Sequence, residues 1–328
     1  MERSPGSGRS AGLDTIVVVP VTQRSSSWLL VLFVAILAAG IYGLVVWNRW
    51  GADPTLEFVL NRLPETKAVT VHVDFAEIRK AGLAELMAGT PVAEEPDYLR
   101  FVSESGFDWK TDLDAVTASK SGDDWYCFAL GRFDMEKLRN FAMSRGGMCR
   151  NGVCEVAGAT PGRLISFYPV SSRMLALASS KSQLAVYHLQ SKPHPTWPGG
   201  VPEGSAWVSF NGSVLAGDPA LPAGGRLFGK ILASTERTTF SVVRGAAGLE
   251  VKMRAHSLDA PGAGNVKAQL EGVTKEFRGY FERMGQASSP ADLSGLLLSG
   301  EFGVTGNETT GRWPVHTDFL KKLAGGEL

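Results

Sequence analysis

The apolar positions of this chain fall into two regimes. From Trp28 to Trp47 every residue is apolar, aromatic or glycine. Beyond Leu63 the apolar residues come instead in short alternating or helically spaced runs broken by turns. An unbroken run of that first kind makes a helix of about 30 Å, the thickness of a bilayer's hydrocarbon core. Trp28 at one end, and Trp47 and Trp50 at the other, suit the two interfaces, where an amphipathic indole is favoured. The pattern predicts one transmembrane helix over 28–47. It reads as an uncleaved anchor rather than a signal peptide, because Ile41 to Trp47 carries the apolar run past the small residues Ala38, Ala39 and Gly40. Ala35, Ala39 and Gly43 fall at i, i+4 and i+8 on one stripe. Small residues at that spacing let helix backbones approach closely, so they are the candidate packing face of a homodimer.

After the span the period shifts. Ala68–Asp74 alternates, with Val69, Val71 and Val73 on one face, and predicts a strand. Phe75–Met87 reads as a helix, Asp97–Ser105 as a further helical turn or two, and Ala115–Lys120 with Trp125–Phe133 as strands around a Ser121-Gly122-Asp123-Asp124 turn. Asp134 is placed to cap a helix, since Met135, Leu138 and Ala142 follow at helical spacing. A hairpin over Met148–Val156, strands at Leu164–Val170 and Met174–Ser179, and a short helix over Gln183–Leu189 complete this half. The order then recurs: a strand at Ala206–Asn211, a helix near Leu227–Ala233, strands at Thr238–Arg244 and Leu249–His256, and a helix carrying Val266, Leu270, Val273, Phe277 and Phe281. Strands at Leu296–Val304 and Arg312–Val315 and a helix at Asp318–Leu323 close it. "Hydrophobe-Pro-Glu-x-x-Ala" entries stand at Leu63 and Val201, 138 residues apart.

These elements predict fold class α+β. A single N-terminal transmembrane helix is followed by two tandem, duplicated domains with mostly antiparallel sheets, each β-α-β-β-α-β-β-α and related to the ferredoxin-like arrangement. The predicted boundaries are a cytoplasmic tail at 1–27, the span at 28–47, a juxtamembrane segment at 48–62, the first repeat at 63–190, a Pro/Gly linker at 191–200 and the second repeat at 201–328. The tail is rich in Ser, Gly and Arg, apart from the β-prone run Thr15 to Val19.

Charge narrows the partners. Lys+Arg and Asp+Glu both total 33; residues 1–50 hold four basic and two acidic side chains, which leaves 29 against 31 beyond them. With no basic run interleaved with aromatics, nucleic acid is not an expected partner. Cysteine usage addresses topology. Cys149 and Cys154 flank Arg150-Asn151-Gly152-Val153, and Asn-Gly is a strong two-residue hairpin signal. In that register the two cysteines face each other, which predicts a disulfide and an oxidising compartment for the large region. Cys127, within a strand, reads as a buried small hydrophobe.

Catalytic chemistry is thinly represented. Gly224 to Lys230 has the spacing of a phosphate-binding loop, but Ile231 stands where a hydroxyl should hold magnesium. The histidines have no metal-ligand spacing, and Asp108, Asp112 and Asp114 lack the order of a calcium loop. His72 and Asp74 share one face of a strand and are half of a hydrolase triad without a nucleophile elbow. No catalytic residue, cofactor or metal site is therefore expected. The layout resembles in outline the bitopic assembly subunits of bacterial pilus and secretion machines, without their coiled-coil stalk. The expected function is a membrane-anchored envelope protein, inserted in the lipid bilayer with its N-terminus cytoplasmic. Its C-terminal region would lie outside the cytoplasm (periplasmic in a Gram-negative cell), as a non-enzymatic module binding or scaffolding another envelope protein. The alternative is a membrane-tethered extracytoplasmic hydrolase built on His72 and Asp74.

Overall fold

The computed structural model describes residues 54–64, 68–82, 96–190, 197, 200–215, 223–245, 248–285, 289–319 and 322. The predicted span, with Ala35, Ala39 and Gly43, lies outside the described residues. Among those described, no helix is long and apolar enough to cross a membrane.

The region from Asp53 onward is one compact α+β unit. Its described residues form twelve strands, β1 (Ala68–Asp74), β2 (Leu113–Ser121), β3 (Asp124–Gly131), β4 (Met148–Arg150), β5 (Val153–Ala157), β6 (Leu164–Pro169), β7 (Met174–Ser180), β8 (Ala206–Phe210), β9 (Arg237–Gly245), β10 (Gly248–His256), β11 (Glu301–Thr305) and β12 (Glu308–Val315). They form a single sheet in the order β11-β12-β10-β9-β8-β1-β2-β3-β7-β6-β5-β4, and every neighbouring pair is antiparallel. Continuity is possible because β1 and β8 pair in the middle, so neither half leaves its first strand as an open edge.

The sheet reads the same outward in both directions from that central pair. Val71 faces Val208, and stepping through the registers equates β2 with β9, β3 with β10, β7 with β12 and β6 with β11. The match rests on residues as well as order. Ser119 and Thr117 face Thr70 and His72, while Ser241 and Thr239 face Trp207 and Ser209. The registers relate Val71 to Val208, an offset of 137, one less than the offset of the Pro-Glu entries. The difference has a physical cause: Ala68 and Ala206, equated by those entries, lie on opposite faces, and a one-residue slip exchanges the faces of a strand.

Among the described residues the helices are α1 (Leu56–Leu60), α2 (Phe75–Lys80), α3 (Pro96–Ser105), α4 (Trp109–Asp112), α5 (Met135–Ser144), α6 (Gly212–Leu215), α7 (Ala223–Leu232), α8 (Ala260–Arg283) and α9 (Leu293–Leu298), with a 3-10 helix at Ala185–Gln190. Local chemistry sets their starts. Asp134 Oδ1 accepts from the amides of Glu136 and Lys137 at α5, and Asp259 Oδ1 accepts from Gly262 at α8. Two regions depart from the sequence reading. Leu293–Leu298 is helical rather than part of a strand: Asp292 stands at its N-cap and Leu296 packs with the core beneath α8. Residues 56–62, within the segment read as juxtamembrane, form α1 and its exit, and Val59, Leu60 and the adjoining Leu63 are all buried.

The layers differ between halves. In the first half both faces of the sheet are covered. Val59 and Leu63 from α1 and Ala185, Val186 and Leu189 from the 3-10 helix pack on Tyr126, Phe128, Met174 and Ala176. On the opposite face Leu138 and Ala142 of α5 meet Leu113, Ala129 and Leu175. In the second half one face is buried under α7 and α8, through Ile231, Leu232, Val266, Leu270 and Val273 against Phe210, Met253, Ala255 and Trp313.

Candidate functional site

His72 and Asp74 are engaged in separate tasks. The His72 ring is buried on β1, its Nδ1 2.9 Å from Thr117 Oγ1 and its plane stacked on Trp207 at 5.4 Å. Burial pushes its pKa below the ordinary imidazole value, against the opposing charge of Asp74. The Asp74 carboxylate caps α2, accepting from the Glu77 amide at 2.7 Å. The acidic cluster is tied up by arginines: Asp114 binds Arg79 at 2.8 Å and Arg173 at 2.6 Å, and Asp112 binds Arg132 at 3.1 Å. Gly224 to Lys230 lies within helix α7. Among the described residues no cluster of His, Cys, Asp and Glu could hold a metal ion.

Cys149 and Cys154 are disulfide-bonded across the β4–β5 hairpin, their Cα atoms 4.0 Å apart. Asn151 and Gly152 both take positive φ, 50° and 80°, as a turn of this kind requires. Cys127 is a free thiol, half-buried rather than buried as a residue, and desolvation of its thiol pushes its pKa up to about 12.

The most distinctive surface is one the sequence reading did not single out. Where the first half carries Tyr126, Phe128 and Leu130 on β3, the registers place Lys252, Arg254 and His256 on β10. Where β7 carries Ala178, Ala176 and Met174, β12 carries Arg312, Thr310 and Glu308. The same face of one continuous sheet is thus apolar and covered by α1 and the 3-10 helix in one half, and charged in the other. There it floors a cavity of about 520 Å³, walled on one side by Gly200, Pro202 and Glu203.

Around that cavity several lining side chains are held by neighbouring partners. Arg254 reaches Glu308 through both Nε and Nη2, the shorter contact at 2.8 Å, and His256 Nε2 lies 2.9 Å from the same carboxylate. Arg312 meets Glu250 at 3.1 Å. The Arg237 guanidinium sits 4.3 Å from the Trp197 ring centroid and donates to Ser209 Oγ at 3.4 Å. Trp197 in turn packs with Leu60 and Trp207, which anchors the wall to the centre of the sheet. Arranged this way, the face presents fixed charges and hydroxyls on a rigid floor, an arrangement suited to recognition rather than to activating a nucleophile. The signal for it is in the sequence. In β10 the even positions Glu250, Lys252, Arg254 and His256 are polar and the odd positions Leu249, Val251, Met253 and Ala255 apolar, whereas in β3 both faces are apolar from Trp125 to Leu130.

A second cavity of about 870 Å³ lies between the end of α8, α9 and β12, lined by Leu249, Phe281, Leu296 and Pro314 with Arg278 and His316.

No family model matches the chain, and no curated protein does. Among solved structures, crystal forms I, IV and III of TP0453 are similar. Their TM-scores are 0.43, 0.43 and 0.41 at 10%, 8% and 9% identity, covering 84% of this chain and 99%, 98% and 99% of theirs. A TM-score below 0.5 at such identity implies neither a shared fold nor a shared activity.

Proposed function

We propose that this chain is a single-pass, membrane-anchored envelope protein whose folded region is a non-enzymatic binding or scaffolding module, with the open face of β9, β10, β12 and β11 as its binding surface. The region is a tandem duplication in this reading. One copy kept its second face apolar and sealed, and the other exchanged it for charge and left it open. The observation that supports the reading is that position-by-position exchange, Tyr126, Phe128 and Leu130 against Lys252, Arg254 and His256. A charged face on a buried-style scaffold adds nothing to the core, so its use lies in contact with something else. The predicted anchor at 28–47 and the disulfide-bonded hairpin support an N-terminus in the cytoplasm and the folded region outside it, in contact with an envelope protein.

The test is photo-crosslinking in native membranes. A crosslinking residue at Thr310, on the open face, should capture one stoichiometric partner; the same residue at the exposed Arg139 of α5 should not. Equal capture at both positions would sink the assignment of the face. Absence of a partner together with ester turnover by the purified protein would replace the module with a hydrolase using His72 and Asp74.

A further inference from the structure

One row of side chains crosses the open face: Ser241 on β9, Lys252 on β10, Arg312 on β12 and Glu301 on β11. Lys252 and Arg312 are register partners, so their Cα atoms stand about 5 Å apart, and like charges directly opposite one another destabilise a sheet. Two of the surrounding carboxylates are held by other partners: Glu250 is turned onto Arg312, and Glu308 holds both Arg254 and His256. Glu301 is the register partner of Arg312 on β11, and Glu203 lines the opposite wall of the cavity. Among the described residues, no carboxylate lies within ion-pair distance of Lys252. The fold itself does not require the juxtaposition, because the corresponding first-half row of Ser119, Tyr126, Ala178 and Ser166 is uncharged.

We propose that this row is an oxyanion site: the cavity takes a small soluble molecule whose phosphate or carboxylate group sits between the Lys252 ammonium and the Arg312 guanidinium. The Ser241 and Thr310 hydroxyls line the same cavity and can donate to the anion. An anion there gives the Lys252 ammonium the ionic partner it lacks and adds a second acceptor to the Arg312 guanidinium, which Glu250 already holds at 3.1 Å. The cavity's volume is that of sites which enclose a small organic ligand. The inference rests on the reading of this face as the binding surface and adds a small anionic ligand to the protein partner proposed for it.

Full-length protein in a neutral detergent, titrated calorimetrically with pyrophosphate and with citrate at constant ionic strength, tests it. Saturable binding is expected, with a rise in melting temperature. Lys252→Met should weaken it by about ten-fold or more. Lys181→Met, at an exposed lysine away from the face, should leave it unchanged. Lys252→Met should melt close to the parent without probe, since among the described residues Lys252 makes no ion pair to lose, so weaker binding cannot be blamed on misfolding. Three results would overturn the proposal: no saturable binding of either probe, equal loss in both lysine variants, or binding only to phosphatidylglycerol vesicles. Failure here with Thr310 crosslinking intact overturns this inference alone and leaves the scaffold reading standing.

Discussion

Phe128 and Arg254 occupy corresponding positions in the two halves, and truncating each to alanine gives the most direct measure of how differently the two faces are built. Phe128 is 2% exposed, packed among Val59, Ala176 and Val186, with its ring edge-to-face against Phe58 at 6.3 Å. Removing such a ring from a filled core costs about 3–5 kcal/mol, because the lost transfer energy is joined by an unfilled cavity. For a chain of this size each kcal/mol lowers the melting temperature by about 2–4 °C, so Phe128→Ala should melt about 6–20 °C lower. Arg254 pairs with Glu308, but its side chain is 47% exposed, and solvent screening holds such a pair to about 0–1 kcal/mol. Glu308 also keeps His256 as a neighbour. Arg254→Ala should therefore shift the midpoint by no more than about 4 °C. Thermal melts of the detergent-solubilised full chain, followed by near-ultraviolet circular dichroism, give both numbers. If Arg254→Ala proves as costly as Phe128→Ala, the face is a covered core and the reasoning fails.

Other outcomes follow from the cysteines and from His72. In freshly isolated membranes Cys149 and Cys154 should resist alkylation until reduced, and replacing both with serine should cost about 2 kcal/mol, the loop being short. Finding both thiols free in unreduced protein would remove the argument for an oxidising compartment. Cys127, its thiol pushed up to about 12 by burial, should stay unalkylated at pH 8 in the folded protein and react once in denaturant; rapid labelling of the native state would contradict its burial. Because burial holds folded His72 below its ordinary value of 6.5, the unfolded chain binds the proton first as pH falls. The His72 contribution to stability is therefore complete above that value and is lost as pH drops through it, levelling off below the folded pKa. His72→Gln should flatten this part of the melting profile between about pH 8 and pH 5, and an unchanged slope would show that the ring does not titrate with folding.

Much of the fold was legible in the residues. The alternation of Ala68–Asp74 marks β1 residue for residue, and Asp134 announces α5 because a carboxylate at that spacing satisfies the first free amides. What escaped was nonlocal or ambiguous in period. Leu296, Leu297 and Leu298 form an apolar triplet that suits a strand or a buried helical turn equally, and only packing beneath α8 decides. Helix α1 was missed because five residues are too few to show a period. The β1–β8 pairing joins segments more than a hundred residues apart, so no window along the chain could contain it. The open face was missed for a different reason. Its charges read locally as an ordinary wet strand, and their meaning appears only when β10 is set against β3.

The position of β1 has a mechanical consequence. It is the first strand among the described residues and follows α1 in the chain, yet it lies at the centre of the sheet with β2 on one side and β8 on the other. A pull on the N-terminal end would therefore act along the axis of a strand clamped on both edges. Its ladders would have to rupture together in shear, whereas an outermost strand such as β11 or β4 can be unzipped one hydrogen bond at a time. A tether attached at that end grips the molecule where it is hardest to tear.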